Sequence, residues 1–311
     1  MPQHDLTVRL WGVRGSYPVP GPQTVRYGGN TACIEIRSGN RLLILDAGTG
    51  IIPLGEQIIA EYKKKYPHNN HKLQVVVLLT HTHHDHIQGL PFFLPAHQGF
   101  CSMYIFGPQL LGEDLQHTLS ISMEPRYCPV RLEEMSSEKI ISHISENDIL
   151  ILRGPEDEPY LHKNHNFNGS VEIRPHDLKV SAYHSYAHPK DGVLIFRVSV
   201  NGKSIVYATD TEGYTGGDSR LINFARDADL LIHDAQYINE EYTDPVHPKQ
   251  GYGHSTVDMA CEVASKANVG KLVLFHHDPA HDDDLMDQIE SYARRLFPNA
   301  VAARENMQLS L

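Results

Sequence analysis

The chain has 311 residues, enough for one large domain or two, and 41% of them are hydrophobic, as expected for a protein with a sizeable buried core. No apolar run approaches the roughly 20 residues of a membrane span, and the first residues show neither a basic nor an apolar secretory signal. We therefore expect a cytoplasmic protein without a membrane partner. The formal charge of −11 disfavours a long polyanionic partner, and four scattered cysteines favour reduced thiols over disulfides.

The first 123 residues alternate predicted strands with predicted helices. Leu6–Val13 alternates apolar and polar residues, which indicates a strand, and Gly39-Asn40 marks the turn of a hairpin. Apolar residues recur at helical intervals after Gly50 and stop before Pro67. The predicted strands are Leu6–Val13, Ala32–Ile36, Arg41–Leu45, Leu73–Leu79 and Ser102–Phe106, and the predicted helices are Ile51–Tyr66 and Gln109–Met123.

Residues 124–170 differ from the rest of the chain, since they are rich in Glu, Asp, Pro and Asn, with short β-like pieces such as Asp148–Leu152. Gly154–Pro159 and Asn164–Gly169 are typical of exposed loops. We expect this segment to be a surface excursion and not a separate domain, so that residues 1–311 form a single domain.

The earlier pattern returns after residue 170. Asn201-Gly202 joins two predicted strands, and Ser255 is the predicted N-cap of a helix. The predicted strands are Val171–Arg174, Lys179–Tyr183, Val193–Val200, Lys203–Tyr207, Asp229–His233 and Lys271–Phe275, and the predicted helices are Ser219–Arg226, Thr256–Ala267 and Asp283–Phe297. Two halves, each with strands first and helices after, predict an α/β protein in the form of a pseudo-duplicated αββα sandwich.

A turn rich in His and Asp follows the apolar strand that ends at Leu79. Imidazole and carboxylate together suit zinc and its first-row neighbours. Alternate side chains of an extended segment share a face, so His81 and His83 can bind one ion, while Asp85 and His86 face a second. A surface histidine tract is the alternative, since the chain has 21 histidines. A buried strand that leads into such a turn is, however, typical of an α/β active site.

The turn resembles the HxHxDH signature of the metallo-β-lactamase superfamily. Six further segments, in the family's order, resemble its phosphodiesterase branch, which includes the tRNA 3′-processing endonuclease RNase Z and small cyclic-nucleotide phosphodiesterases. The segments are Gly28-Gly29-Asn30-Thr31, Leu45-Asp46-Ala47-Gly48-Thr49-Gly50, Tyr207-Ala208-Thr209-Asp210-Thr211, His233-Asp234-Ala235, Gly253-His254-Ser255-Thr256 and Leu274-Phe275-His276. The resemblance implies a four-layer αββα sandwich with metals at the upper edge between the two sheets.

The resemblance also implies three ligands outside the turn. His188 and His276 stand where the family has its remaining metal histidines, and a carboxylate at Asp210 would bridge two ions. His184 is a rival of His188, and His277 is expected not to bind metal. Two divalent ions per chain are expected, Zn²⁺ by preference, with Mn²⁺ or Fe²⁺ as alternatives. The implied sets are His81, His83, His188 and Asp210 for one ion, and Asp85, His86, His276 and Asp210 for the other.

Further roles follow from the same resemblance. His254 corresponds to the proton-donating histidine of RNase Z-like enzymes, and Asp234 replaces the glutamate that orients it, so Asp85, His254 and Asp234 are the predicted catalytic residues. Asp46 is expected to orient a ligand histidine. The glycine-rich first loop, from Gly12 to Thr31, stands where the family has its substrate-facing loop, so it is expected to face the site. Arg14 is expected to contact a phosphate and Asn30 to brace the Asp46 segment.

The predicted function is a dinuclear metal phosphodiesterase that hydrolyses a small or cyclic nucleotide through a metal-bridging hydroxide, with His254 as general acid. An RNase Z-like endonuclease is the nearest alternative, but its substrate-gripping arm is typically glycine-rich and basic, whereas residues 124–170 are acidic. A thioester or lactam hydrolase of the same fold and a non-catalytic metal-binding regulatory protein are further alternatives. The expected partner is a small phosphodiester and not a long nucleic acid, and a homodimer is left open.

Overall fold

The computed structural model of the protein describes residues 6–68, 71–109, 112–163, 172–214 and 216–311. Fifteen strands in these residues form two mixed sheets. The first sheet contains, in spatial order, β15 (Gln308–Ser310), β1 (Leu6–Gly12), β2 (Cys33–Ser38), β3 (Arg41–Leu45), β4 (Leu73–Leu78), β5 (Cys101–Gly107) and β6 (Glu138–His143). The second contains β14 (Ala300–Ala302), β13 (Leu272–Phe275), β12 (Leu230–Asp234), β11 (Lys203–Ala208), β10 (Val193–Val200), β9 (Leu178–Ser185), β7 (Ile149–Leu152) and β8 (Tyr160–His162).

The described residues form seven α-helices. They are α1 (Ile51–Lys65), α2 (His84–Ile87), α3 (Leu115–Ser122), α4 (Ser219–Ala225), α5 (Asn239–Tyr242), α6 (Val257–Lys266) and α7 (Asp283–Leu296), with short 3-10 helices at Leu90–Phe92, Leu94–His97 and Leu132–Glu134. Helices α1 and α3 pack on the outer face of the first sheet, and α4, α6 and α7 pack on that of the second. No helix in the described part of the chain combines the length and hydrophobicity that crossing a membrane requires.

Successive residues of the central strands face different layers. Val77 of β4 packs outward with Leu54 of α1, whereas Val76 points inward to a core that it shares with Ile232 of β12. On the far side, Leu231 packs outward among residues of α4, α6 and α7. Because both faces of each central strand are covered, these strands are continuous apolar runs. The layers follow the order helix, sheet, sheet, helix, which confirms the predicted αββα sandwich.

The parallel strands bring the candidate site residues to one edge of the sandwich. Strands β3 to β6 run parallel in the first sheet, and β11 to β14 run parallel in the second. The carboxyl ends of such strands are where α/β proteins bind ligands. Asp46 and His276 directly follow β3 and β13, and Asp210 lies two residues after the end of β11; their φ angles are 60°, 62° and 50°. This left-handed conformation is uncommon outside glycine and concentrates at functional sites.

Residues 124–170 are not simply a surface excursion. β6 extends the first sheet, and β7 and β8 complete the second, so this segment contributes to both layers. The expectation of an excursion is therefore wrong for these three strands. Gly154–Pro159 does form the connection between β7 and β8. Asn164–Gly169 lies outside the described residues.

Three local predictions also differ from the structure. Residues 172–174 form no strand, and Val171 lies outside the described residues. The helix expected over Gln109–Met123 begins only at Leu115, since Asp114 caps it by accepting a hydrogen bond from the backbone amide of His117 at 2.7 Å. Thr256, and not Ser255, caps α6.

Candidate metal centre and acid pair

Four side chains from both sheets converge where the parallel strands end. One ligand atom of each lies within 4.8 Å of the corresponding atoms of the others. His83 Nδ1 and His188 Nε2 are 3.1 Å apart, and His81 Nε2 lies 3.6 Å from Asp210 Oδ2. We call this the first cluster, and its members are His81, His83, His188 and Asp210.

Asp210 also belongs to a second cluster, formed with Asp85, His86 and His276. His86 Nε2 lies 3.3 Å from His276 Nε2, and Asp210 Oδ1 lies 3.2 Å from each of these nitrogens. Asp85 Oδ2 is 3.1 Å from His276 Nε2. Asp210 thus offers Oδ2 to the first cluster and Oδ1 to the second. This is the arrangement expected of a carboxylate that bridges two ions.

The hydrogen bonds of the histidines leave lone pairs that face into the clusters. Three rings use Nδ1 to donate to an oxygen that can only accept, so Nε2 is unprotonated in the neutral ring. The pairs are His86 with Asp46 Oδ2 at 2.9 Å, His188 with the Gly253 carbonyl at 3.0 Å, and His276 with Gln236 Oε1 at 3.0 Å. Nε2 of His81 is buried without a hydrogen-bond partner among the described residues. Such unshared lone pairs, set beside carboxylates, fit divalent metal ions such as zinc.

The charges of the two clusters also favour a cation. Burial lowers the pKa of each histidine of the first cluster, which keeps these rings neutral, as metal ligands must be. Burial opposes protonation of His86 as well, but three carboxylates, led by Asp210, raise its pKa. Although burial raises the pKa of Asp210, neighbouring histidines, led by His276, hold it well below its usual value. The site therefore presents an ionised Asp210 beside the three neutral imidazoles of the first cluster, while the surrounding carboxylates attract positive charge to His86.

Asp46 connects the two clusters to the cores of both sheets. Its Oδ1 accepts from the backbone amide and hydroxyl of Thr80 at 2.8 and 3.0 Å. Its Oδ2 accepts from His86 Nδ1 and from the hydroxyl of Tyr207 at 2.8 Å. Thr80 Oγ1 in turn lies 3.1 Å from Nδ1 of His81. One buried carboxylate therefore fixes the orientation of a histidine in each cluster.

The ring of His254 lies beside the second cluster, with its centroid 4.9 Å from that of His276 in a stacked arrangement. Its Nδ1 donates to Asp234 Oδ2 at 2.7 Å, which leaves Nε2 to exchange a proton with a substrate. Asp234 Oδ1 accepts from the backbone amides of Gln236 and Ser255 at 3.1 and 3.0 Å, so the carboxylate cannot rotate. Burial lowers the pKa of His254, but Asp234 raises it to about 9. An aspartate therefore reaches this histidine despite being one carbon shorter than glutamate.

The first loop approaches the second cluster through its backbone. The amide of Ser16 donates to Asp85 Oδ2 at 2.7 Å. A Cβ atom at Gly15 would lie 2.4 Å from the ring of His276, so only glycine leaves room for that ring. The expectation that this loop faces the site is thus correct for its backbone.

The two side chains assigned to this loop have other roles. Arg14 is completely buried, and it donates from Nε to the carbonyl of Gly28 at 2.8 Å and from Nη1 to that of His281 at 2.6 Å. The predicted phosphate contact is therefore wrong, because the guanidinium faces the protein interior. Asn30 binds Glu305, with 3.1 Å from Nδ2 to Oε2, and does not touch Asp46.

The structure separates the rival histidines. His184 donates a hydrogen bond from Nε2 to the backbone carbonyl oxygen of Asp191 at 2.9 Å. It belongs to neither cluster, whereas His188 does. His277 is buried with Nε2 2.9 Å from the carbonyl of Ala303, and it also lies outside both clusters. His188 and His276 are therefore the members of each pair that can bind metal.

Three residues near the site had no role assigned from the sequence. Tyr207 donates to Asp46, and Gln236 accepts from His276. Tyr207 lies in a segment that resembles the family, and Gln236 directly follows another. Thr31 braces the segment after Asp46 through reciprocal hydrogen bonds with Thr49 at 2.8 and 2.9 Å. Thr31 is next to Asn30, the residue to which the sequence assigned this bracing role. The sequence alone does not show which of the two side chains faces the segment after Asp46.

Comparison with known proteins agrees with this fold. A family model described as a Beta-lactamase superfamily domain matches residues 41–277. Ribonuclease Z from Pyrococcus horikoshii is 25% identical over 296 residues, which cover 89% of this chain and 89% of that protein.

Solved structures show the same fold. The metallo-beta-lactamase fold protein YhfI from Bacillus subtilis has a TM-score of 0.66 at 18% identity, with 99% of this chain and 100% of that chain covered. Human tRNase Z, short form, has a TM-score of 0.56 at 19% identity, with 97% and 98% covered. The family match spans well over half of the chain and includes every member of both clusters. The chain therefore belongs to the beta-lactamase superfamily, as a metal-dependent hydrolase.

Proposed function

We propose that the chain is a metal-dependent phosphodiesterase that cleaves RNA. The observation that carries this proposal is the Asp234–His254 pair, 2.7 Å apart, beside two clusters of ligand atoms. Cleavage of a ribose phosphodiester expels an alkoxide, which needs a proton as it departs. A thioester hydrolase depends less on such a group, since a thiolate leaves without a proton. The named relatives, which are ribonucleases, support RNA as the substrate.

The first and second clusters would each bind one divalent ion, with Asp210 shared between them. When bound, two such ions supply a nucleophile at neutral pH by lowering the pKa of water, and they neutralise charge on the phosphoryl oxygens. Asp46 holds His81, through Thr80, and His86 in the orientation that binding requires. The protein thus provides a preorganised set of ligands on the ends of rigid strands.

His254 would protonate the departing oxygen from Nε2. Asp234 positions the ring by fixing Nδ1, and the two backbone amides on Asp234 Oδ1 keep that carboxylate in place. His254 is largely buried, so the proton passes to a substrate held in the site and not to bulk water. A general acid of this kind contributes roughly 10²–10⁴-fold to the rate.

A small or cyclic nucleotide is the second candidate substrate. The formal charge of −11 opposes the approach of a long polyanion, and residues 124–170 contain more acidic than basic side chains. A single phosphodiester would meet less of this repulsion than a folded RNA. The same catalytic groups would act on RNA and on a small nucleotide. The two candidate functions therefore differ in substrate and not in mechanism.

A substrate panel tests the proposal. Protein loaded with Zn²⁺ or with Mn²⁺ is incubated with a precursor tRNA that carries a 3′ trailer, a short single-stranded RNA, and 2′,3′- and 3′,5′-cyclic nucleotides. Cleavage of either RNA in preference to the cyclic nucleotides supports the ribonuclease. Turnover of cyclic nucleotides alone would favour the second candidate. Absence of turnover on all of them, with both ions bound, would overturn the phosphodiesterase and leave the thioester, lactam and non-catalytic alternatives.

A further inference from the structure

A single carboxylate holds the backbone that leads into His254. Glu212 is half-buried and lies two residues after Asp210, the residue shared by both clusters. Its Oε1 accepts a hydrogen bond from the backbone amide of Gly251 at 2.8 Å, and its Oε2 accepts one from the amide of Gly253 at 3.0 Å. Hydrogen bonds to a carboxylate are stronger than those between neutral groups. Glu212 therefore fixes the backbone at these two glycines.

The two glycines allow their amides to converge on this carboxylate. Gly251 and Gly253 have φ angles of 82° and 89°, a left-handed conformation that other residues rarely adopt. Backbone amides in turns that include this conformation can point together at an anion. Gly253 also has no space for a side chain, since a Cβ atom would lie 2.4 Å from Nδ1 of His188. The backbone here thus contacts both Glu212 and His188.

Gly253 connects Glu212 to the first cluster. Its carbonyl accepts a hydrogen bond from Nδ1 of His188 at 3.0 Å, which leaves Nε2 of that ring to face Asp210. The backbone amide of Glu212 donates to the carbonyl of Ala187, directly before His188, at 3.3 Å. A displacement of Gly253 would therefore turn the ring of a candidate metal ligand, because Gly253 contacts the carboxylate through its amide and the ring through its carbonyl.

The segment that contains Glu212 holds the backbone on both sides of His254. Gly253, directly before His254, is bound by the Glu212 carboxylate. Ser255, directly after His254, donates from its hydroxyl to the carbonyl of Thr211 at 2.5 Å. The acid pair described above orients the ring, whereas these two contacts place the backbone from which the ring extends.

We propose that Glu212 is a positioning residue that holds Gly253 and, through Gly253, places both the metal ligand His188 and the acid His254. The part that concerns His254 rests on the proposed function, in which that ring protonates the departing oxygen. Glu212 itself belongs to neither cluster, so it acts through its neighbours. Metal binding and proton transfer would then both depend on this one side chain.

Metal binding tests the effect on His188 without catalysis. Glu212→Gln leaves one acceptor oxygen and turns an amide group towards the second backbone donor. Glu212→Asp keeps the charge but is one carbon shorter, so it should not reach both backbone amides. Both variants should bind one of the two ions roughly tenfold more weakly in competition with a chelating dye, because outer contacts orient metal ligands. The weakened ion should be the one that His188→Ala removes.

Glu290→Gln is the matched control. Glu290 also accepts a hydrogen bond from a backbone amide, that of Ala302 at 2.9 Å, but it belongs to neither cluster. This variant should bind both ions as the wild type does, and chemical denaturation verifies that every variant is folded. Wild-type affinity in both Glu212 variants would overturn the proposal. A loss in Glu212→Gln alone would also overturn it, because the charge and not the position of Glu212 would then be responsible.

Initial rates test the effect on His254, at equal metal content and with an RNA or nucleotide that the wild type cleaves. Both Glu212 variants should lower kcat roughly tenfold or more for a ribose leaving group, with KM close to that of the wild type, because misplaced catalytic groups slow the chemical step. Cleavage of a p-nitrophenyl phosphodiester should fall less, since its phenolate departs without an acid. Equal losses on both leaving groups would remove His254 from the proposal. If the wild type cleaves no phosphodiester, the proposed function fails, and the metal titration alone decides whether Glu212 positions His188.

Discussion

Tyr207 of the second sheet donates a hydrogen bond to Asp46 of the first sheet, with 2.8 Å between the phenolic oxygen and Oδ2. The same carboxylate oxygen accepts from Nδ1 of His86 at 2.9 Å. All three side chains are buried. One oxygen atom therefore connects a candidate metal ligand to the opposite sheet.

Tyr207→Phe should weaken binding of the second ion by roughly tenfold, because outer hydrogen bonds orient metal ligands. It should also lower the free energy of unfolding by about 1.5–3 kcal/mol, the usual contribution of a hydrogen bond to a charged group. Metal competition with a chelating dye and chemical denaturation measure the two effects. Tyr104→Phe removes a hydroxyl elsewhere in the same core and should leave metal affinity unchanged. Equal metal affinity in Tyr207→Phe and wild type would show that the hydrogen bond does not orient His86.

His254→Ala should reduce cleavage of an RNA or nucleotide with an ordinary ribose leaving group by roughly 10²–10⁴-fold. A p-nitrophenyl phosphodiester expels a stable phenolate, so its cleavage should fall much less. Asp234→Asn should show the same selectivity more weakly, because it disturbs only the orientation of the ring. Rates are compared at equal metal content. Equal losses on both kinds of leaving group would remove His254 from the acid role.

His188→Ala should lower the metal content from two ions per chain towards one, because the first cluster loses a ligand. His184→Ala is the matched control, since His184 contacts a backbone carbonyl outside both clusters. Elemental analysis of protein purified without chelator measures the content. A loss of metal in the His184 variant that equals the loss in the His188 variant would contradict the assignment.

Gly15→Ala should displace the ring of His276, since the added Cβ would lie 2.4 Å from it. A displaced ligand should cost on the order of 10²-fold in activity, as small misplacements of catalytic groups do. Gly21→Ala, in the same loop, meets nothing within 4 Å and should behave as wild type. Initial rates and metal content are measured together. Wild-type values for both in Gly15→Ala would show that the loop can move away from the ring.

Arg14→Met should lower the free energy of unfolding by about 2–4 kcal/mol, because it leaves several buried carbonyl acceptors without a donor. It should not raise KM in the fraction that remains folded, since Arg14 does not face the clusters. Denaturation curves and KM values are the measurements. A raised KM with unchanged stability would restore the phosphate contact that the sequence suggested.

The sequence predicts the site best where ligands are neighbours in the chain. His81, His83, Asp85 and His86 occupy one turn, so their convergence follows from the local backbone. The side chains of Arg14 and Asn30 were misassigned because a glycine-rich loop does not reveal which way each side chain points. Arg14 turns inward to three carbonyls that come from distant parts of the chain.

The missed strands have a similar physical explanation. β6 lies at the edge of the first sheet, and its residues are exposed or only partly buried, so no apolar pattern marks it. β8 and β14 have three residues each, too few to show a period. Their strand conformation depends on pairing with β5, β7 and β13, which tertiary structure supplies.

The proposed ligands come from four separate segments, and a ribosome makes these segments in a fixed order. The first cluster is complete once Asp210 has been synthesised, whereas the second also needs His276. A growing chain could therefore fold a full ligand set for one ion before the last histidine for the other exists. The order of synthesis thus allows the first cluster to bind its ion before the second. Binding of both ions has to wait until His276 has been made.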